Sequence, residues 1–201
     1  MSKLNKYYFR LILVLSLISY SNFVASDTAE EIVYETTQEV LDRLKTDKDR
    51  LEQEPEYIKT IVRELIVPNM DFMTMSRLAL GNHWDQLEQA KRECFSIGFK
   101  NLLVERYAHI LLSYRKQDIS YQSAKPFGEK DHVSVIQTLT RPNVKPLKIE
   151  YPMHPVVDSW EVIDLVIDDV SLIRTYQKIF SKEIKQNDLN SFITSFDECD
   201  V

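Results

Sequence analysis

Asp131–Phe180 reads DHVSVIQTLTRPNVKPLKIEYPMHPVVDSWEVIDLVIDDVSLIRTYQKIF, and its changing periodicity decides the fold. His132–Arg141 alternates, with Val133, Val135 and Leu139 on one face and mostly polar residues on the other. Pro146–His154 places Leu147, Ile149, Tyr151 and Met153 on a single face. Ser159–Asp168 carries Trp160, Val162 and Val166 on one side and Ile163, Leu165 and Ile167 on the other, so it reads as a strand covered on both faces. Asn143 and the Val157-Asp158 step supply the turns. From Ser171, a helix-capping residue, the period shifts from 2 to 3.6 through Leu172, Ile173, Tyr176, Ile179 and Phe180. A curved antiparallel meander with a helix across it forms a half-open shell, either filled by its own side chains or hollow for a ligand.

Working outward, an edge strand is expected at Ile119–Lys125, which makes the sheet four-stranded. Upstream, Thr28–Lys45 is helical, with Val33, Thr37, Val40, Leu41 and Leu44 on one stripe. A second helix opens at Pro55 and ends at Pro68. Asp71 caps a third that runs to Leu80, with Gly81 as its stop. The long fourth, about Leu87–Tyr114, has one apolar stripe through Phe95, Phe99, Leu103, Tyr107 and Leu111 and another through Cys94, Ile97, Val104, Ala108 and Leu112. A helix apolar on two sides packs between layers, or against a layer and a ligand. Helix 171–187 and a short amphipathic piece, Leu189–Phe196, close the chain. The fold class is therefore α+β: a curved four-stranded antiparallel sheet packed with six or seven helices, enclosing an apolar ligand cavity if the shell is hollow.

Lys3, Lys6 and Arg10, the apolar run Leu11–Ile18 and then Val24-Ala25-Ser26 have the pattern of a secretory signal peptide over residues 1–26, leaving 27–201 as one domain. The formal net charge is −6; loss of three basic residues leaves 22 basic against 31 acidic, or −9. An acidic protein is a poor ligand for nucleic acid and does not settle on anionic lipid non-specifically. A chain of this length buries about 70% of its unfolded surface and folds without a disulfide. Cys94 and Cys199 can pair in an oxidising compartment, or Cys94 is simply a buried helix residue.

Three glycines leave no phosphate-cradling loop. His83, His109, His132 and His154 show no ligand spacing, so no metal or cofactor is expected. Asp164 is the one carboxylate inside an apolar run, and two readings stay open for it. It is a structural acceptor, or it is the general base of a small cone-shaped α+β enzyme. No second acid, base or oxyanion donor can be named beside it, which favours the structural reading and a protein that is not an enzyme. Trp84 and Trp160 read as core anchors, and the ten tyrosines suit the wall of an apolar cavity.

Several motifs, in order, resemble a known family. Pro68-x-x-Asp71-Phe72, Leu80-Gly81-x-x-Trp84, Phe95-x-x-x-Phe99 with Leu102-Leu103, and Tyr107-Ala108 resemble the first half of the MlaC family, also called toluene-tolerance Ttg2 or auxiliary periplasmic phospholipid-binding proteins. Trp160-x-Val162-x-Asp164, Val170-Ser171-Leu172 and Tyr176-x-x-x-Phe180 resemble its second half. The chain departs from the family pattern at Asp168-Asp169, where a Glu-Gly turn is usual, at Arg141–Pro146, which lacks a glycine, and in its two cysteines.

The resemblance implies a soluble, monomeric periplasmic carrier that shuttles phospholipid between outer- and inner-membrane complexes and so maintains outer-membrane lipid asymmetry. The implied partners are an outer-membrane lipoprotein–porin complex and the MCE-domain ring of an inner-membrane ABC transporter, with phospholipid as cargo. Tyr107, Leu111, Val135, Ile149, Tyr151 and Trp160 lie on expected inward faces and should line the cavity. Phe72, Met75, Phe99, Leu103 and Val133, with Val162, Leu172 and Tyr176, complete the expected lipid-binding set. Val170 is expected at the rim, touching both lipid and a docked partner, and Lys148 is a candidate partner contact. A carrier of another apolar ligand and an adaptor with a filled core remain the alternatives.

Overall fold

The computed structural model describes residues 28–114 and 118–196. The expected signal peptide and Cys199 lie outside the described residues.

Helix α1 (Ala29–Thr46) opens with a capping box: the Glu31 N–H donates to Thr28 Oγ1 at 3.2 Å, and the Thr28 N–H donates to Glu31 Oε2 at 2.8 Å. Its Ala29, Ile32 and Val33 bury against the sheet; further along, Val40 and Leu44 bury against helices. A short α2 (Lys48–Gln53), absent from the sequence reading, joins it to α3 (Tyr57–Ile61). The chain does not continue as an α-helix to Pro68. It widens into a π-type turn over Val62–Ile66, then tightens into a 3₁₀ turn over Val67–Asn69. Helix α4 (Phe72–Leu80) is capped by Asp71, whose Oδ1 accepts the Thr74 N–H at 2.8 Å. Gly81 ends it at φ +54°, a left-handed value that a side chain tolerates poorly. Helix α5 (Gln89–Tyr107) passes into a 3₁₀ segment over Ala108–Tyr114.

The strands are β1 (Asp118–Pro126), β2 (Val133–Arg141), β3 (Val144–Val156), β4 (Ser159–Val162), β5 (Val166–Ile167) and β6 (Val170–Ser171), followed by α6 (Leu172–Asn187) and α7 (Leu189–Thr194). The sheet is antiparallel in the order β1-β2-β3-β5-β6, with β4 pairing the end of β3. Seven α-helices among the described residues agree with the expected six or seven, but the sheet has six strands, not four. The expected strand Ser159–Asp168 is interrupted at Ile163–Leu165 because Asp164 turns its carboxylate on nearby donors. It accepts from the Leu165 N–H at 2.8 Å, the Ile173 N–H at 3.0 Å and the Ser171 hydroxyl. The extra strand, β6, is the short return before α6.

All the expected turns form with left-handed residues: Asn143 at φ 61° and Asp158 at 57°. Asp168 and Asp169, at 45° and 67°, build a tight turn from two residues that both carry side chains in the left-handed region. Asp168 Oδ1 accepts the Lys148 N–H at 3.2 Å, and Lys145 and Lys148 pair with the two acids, which helps hold this conformation.

Three cores surround the middle of the molecule. In one, Phe95 and Phe99 of α5 meet Tyr176 and Phe180 of α6 and Phe192 of α7, with ring centroids 5.1–6.0 Å apart. In a second, Val40 and Leu44 of α1 pack with Ile58, Ile61, Val104 and Ala108, and in the third Val135, Met153 and Val162 pack beneath the N-terminal turns of α1. Among the described residues, no helix is long and apolar enough to cross a membrane.

Candidate functional site

Between these cores lies an apolar cavity of about 220 Å³. One wall is the sheet: Leu147, Ile149 and Tyr151 of β3 follow one another on the same face, as their alternation predicts. Val162, Leu165 and Ile167 extend that wall. Strict alternation through Ser159–Asp168 would put Val162 and Ile167 on opposite faces. The break at Asp164 changes the phase, so both reach the cavity.

The opposite wall is helical, and much of it comes where helices lose regular pitch. Val62 and Ile66 come from the π-type turn, Val67 and Asn69 from the 3₁₀ turn, and Ala108, Ile110 and Leu111 from the 3₁₀ extension of α5. Ile32, Val33 and Thr36 of α1 close one side, and Phe72 and Leu172 contribute from the starts of α4 and α6. The doubled apolar stripe of α5 thus divides along its length rather than by side. Phe95 and Phe99 fill the aromatic core, whereas Leu103, Val104 and Tyr107, further along, face the cavity.

The polar groups near this lining are satisfied within the protein. Asn69 Nδ2 donates to Thr36 Oγ1 at 2.8 Å and to the Leu65 carbonyl at 3.2 Å. The Tyr151 hydroxyl donates to Gln137 Oε1 at 2.7 Å, and Gln137 Nε2 donates to Thr37 Oγ1 at 3.0 Å and to the Tyr121 hydroxyl at 3.3 Å. Tyr107 is hydrogen-bonded to Tyr176; burial first, and then this bond, push the Tyr176 phenol well above its usual range. Rings line the hollow while their hydroxyls are tied to protein partners.

Of the expected cavity residues, Phe72, Leu103, Tyr107, Leu111, Ile149, Tyr151, Val162 and Leu172 line it. The others do not. Met75 and Phe99 are wholly buried in the helical core, and Tyr176 is 3% exposed beside them. Val135 is wholly buried, and Val133 and Trp160 pack at the edge of the same core, because α1 covers β2 and fills the space the sequence reading left open. Val170 is 62% exposed and off the lining, although its β-partner Ile167 is on it. Lys148 is ion-paired with Glu150 at 2.6 Å and Asp169 at 3.4 Å, and the Glu150 hydrogen bond leads in raising its pKa. Asp164 has the structural surroundings described above, with burial raising its pKa against the hydrogen bonds that lower it.

The cavity residues that sequence reasoning missed are mostly on the α3 tract and α1. The apolar spacing after Pro55 already puts Val62 and Ile66 on one helical face, and Asn69 would share it, but a regular helix would turn Val67 away from them. Only the Pro68-Asn69 step hints at the change of pitch.

A family model described as MlaC protein matches residues 34–198. The chain is 25% identical over 177 residues to the intermembrane phospholipid transport system binding protein MlaC of Haemophilus influenzae, covering 85% of this chain and 83% of that one. It is 24% identical over 167 residues to the toluene tolerance protein ttg2D of Pseudomonas putida, covering 82% and 76%. Among solved structures, the phospholipid-binding protein of Ralstonia solanacearum, in complex with a phospholipid, superposes with a TM-score of 0.75 at 26% identity, over 86% of this chain and 96% of that one.

Proposed function

Because this chain belongs to the MlaC family, we propose that it is a phospholipid carrier whose cavity between sheet and helices receives acyl chains. The observation that carries this reading is the cavity's chemistry: an apolar lining whose tyrosine hydroxyls are tied into the protein, in a chain whose solved relative binds phospholipid. Two acyl chains of about 30 methylenes in total cost on the order of 24 kcal/mol to leave in water. A dry pocket and a bilayer satisfy them about equally. Transfer between carrier and membrane complex is then near-neutral and needs neither cofactor nor nucleotide on the carrier. Direction comes from the partners: an outer-membrane lipoprotein–porin complex at one end and the MCE-domain ring of an inner-membrane ABC transporter at the other. The leader-like N-terminus and the relatives' role between membranes support a periplasmic location. At about 220 Å³ the cavity is smaller than the roughly 300–1,000 Å³ of most ligand pockets. Loading therefore parts the walls.

The test is native mass spectrometry and organic extraction of the protein purified without added lipid. Stoichiometric phospholipid is expected. A protein that carries none, and takes none up from phospholipid vesicles, defeats the proposal.

A further inference from the structure

Asp71, His154 and Glu161 come from separate elements and meet where the start of α4 is tied to the β3–β4 hairpin. Met70 bridges to Val162, the Asp71 N–H donates to the Val162 carbonyl at 3.0 Å, and His154 pairs with Glu161 across the hairpin. One ligand atom from each of the three side chains lies within 4.8 Å of the others. His154 Nε2 is 3.2 Å from Asp71 Oδ2 and 3.9 Å from Glu161 Oε2. That nitrogen is buried and, despite the near carboxylate, forms no hydrogen bond with any of the described residues. The side chains of His154 and Asp71 are only 22% and 17% exposed, and that of Glu161 34%. Asp71 is already oriented: its Oδ1 accepts the Thr74 N–H at the start of α4, which leaves Oδ2 facing the histidine. The His132 ring lies edge-on to His154 at 5.9 Å and limits how far it can swing.

We propose that these three side chains bind one divalent transition-metal cation, zinc by preference. An imidazole nitrogen with two carboxylate oxygens is a zinc ligand set, with bonds of about 2.0–2.2 Å that place neighbouring ligand atoms roughly 3.3–3.5 Å apart in a tetrahedron. The observed separations need only small side-chain movements to reach this. Magnesium and calcium prefer all-oxygen shells, so the imidazole selects against them. The second shell is in place on Asp71, as a metal-binding carboxylate requires. Two carboxylates neutralise a dication, and the fourth position is open to water. The cation would act as a staple rather than a catalyst. Met70, Phe72 and Val162, which flank Asp71 and Glu161 in sequence, line the cavity, so the bound ion fixes that part of its wall to the sheet.

The test uses the protein without a polyhistidine tag, dialysed against chelator and titrated with zinc chloride, followed by calorimetry, native mass spectrometry and thermal melts. One equivalent of zinc is expected, with a melting temperature raised by about 5–10 °C at a hundredfold excess of free zinc over its dissociation constant. Chelator reverses the shift, and magnesium at the same concentration does not produce it. Glu161→Gln, at the most exposed of the three positions, should fold normally and weaken zinc binding more than about tenfold. His154→Ala should abolish binding. Should His154→Ala fail to fold, Glu161→Gln decides alone. The site is overturned by absence of a bound equivalent, by an equal effect of magnesium, or by unchanged zinc affinity in Glu161→Gln. A melt that responds to pH but not to zinc also overturns it, and identifies a histidine–carboxylate ion pair.

Discussion

Ile149→Asp separates cargo binding from folding. Ile149 lines the cavity from the middle of β3, opposite Ile167 and Gln137 in register, and is half-buried. Exchanging its side chain for a carboxylate removes about three carbons of apolar contact with an acyl chain, worth ~2 kcal/mol at ~0.8 kcal/mol each. Pressing the carboxylate against hydrocarbon costs at least ~2 kcal/mol more. At 1.4 kcal/mol per tenfold, the sum of about 4 kcal/mol weakens lipid binding roughly a thousandfold. In the lipid-free protein the half-buried position lets the carboxylate keep water. The fold then loses only ~1–2 kcal/mol, or about 3–8 °C in melting temperature. Met75→Asp is the control: Met75 is wholly buried in the helical core, so its variant should not fold at all. The assay is phosphorus analysis of an organic extract beside a thermal melt. Ile149→Asp that keeps stoichiometric lipid, or that melts as badly as Met75→Asp, would show that the position is not cavity wall.

Phe99→Ala should cost ~3–5 kcal/mol by denaturant titration, because Phe99 stacks among the core aromatics and lines no cavity; the protein that remains folded should still hold lipid. Val170→Glu, at an exposed position on β6, should melt like the wild type but slow transfer of labelled lipid to the membrane complexes; normal transfer would place the docking face elsewhere. Asp164 gives a pH test against Asp164→Asn. Burial raises its folded pKa above the usual 3.8, so its contribution to stability is fully present below pH 3.8 and is lost as pH rises through the folded value. Melts across that range should show the wild type losing ground to the variant as pH rises, and a constant difference would refute the assignment.

The sheet was legible because β2 and β3 alternate cleanly and their turns are marked by Asn143 and Asp158. The cap residues Asp71 and Ser171, with the stop at Gly81, fixed the starts of two helices and the end of one for local reasons that sequence carries directly, whereas Thr28, read as the first helical residue, is the cap of α1. What periodicity does not carry is which covering element sits over which strand. Val135, Val133 and Trp160 face inward as expected, yet α1 occupies the space in front of them. The strand through Asp164 failed for a related reason: hydrogen bonds from Ser171 and Ile173 reach back across a turn, and no window of alternating residues contains them. The Asp71–His154–Glu161 cluster is the extreme case, since its members share no spacing.

The helical tract from Tyr57 to Asn69 runs between fixed ends. At its start, Arg43 Nη2 bonds the Tyr57 hydroxyl at 2.7 Å; just beyond its finish, Met70 is bridged to Val162. With both ends held, a single helical pitch must meet a set length and a set rotation at once, and one parameter rarely satisfies two constraints. The switch from α to π to 3₁₀ supplies the missing freedom, acting as a vernier between the anchors. Removing one residue from Val62–Ile66 would change the register of everything that follows by about 100°. The anchors at either end would resist, and the mismatch would fall on Val67 and Asn69. Length changes in this tract would therefore resculpt the cavity and the helical core that Val62 shares with Val40 and Val104, while sparing the aromatic core and the sheet core, which makes it a place where cargo can change without a new fold.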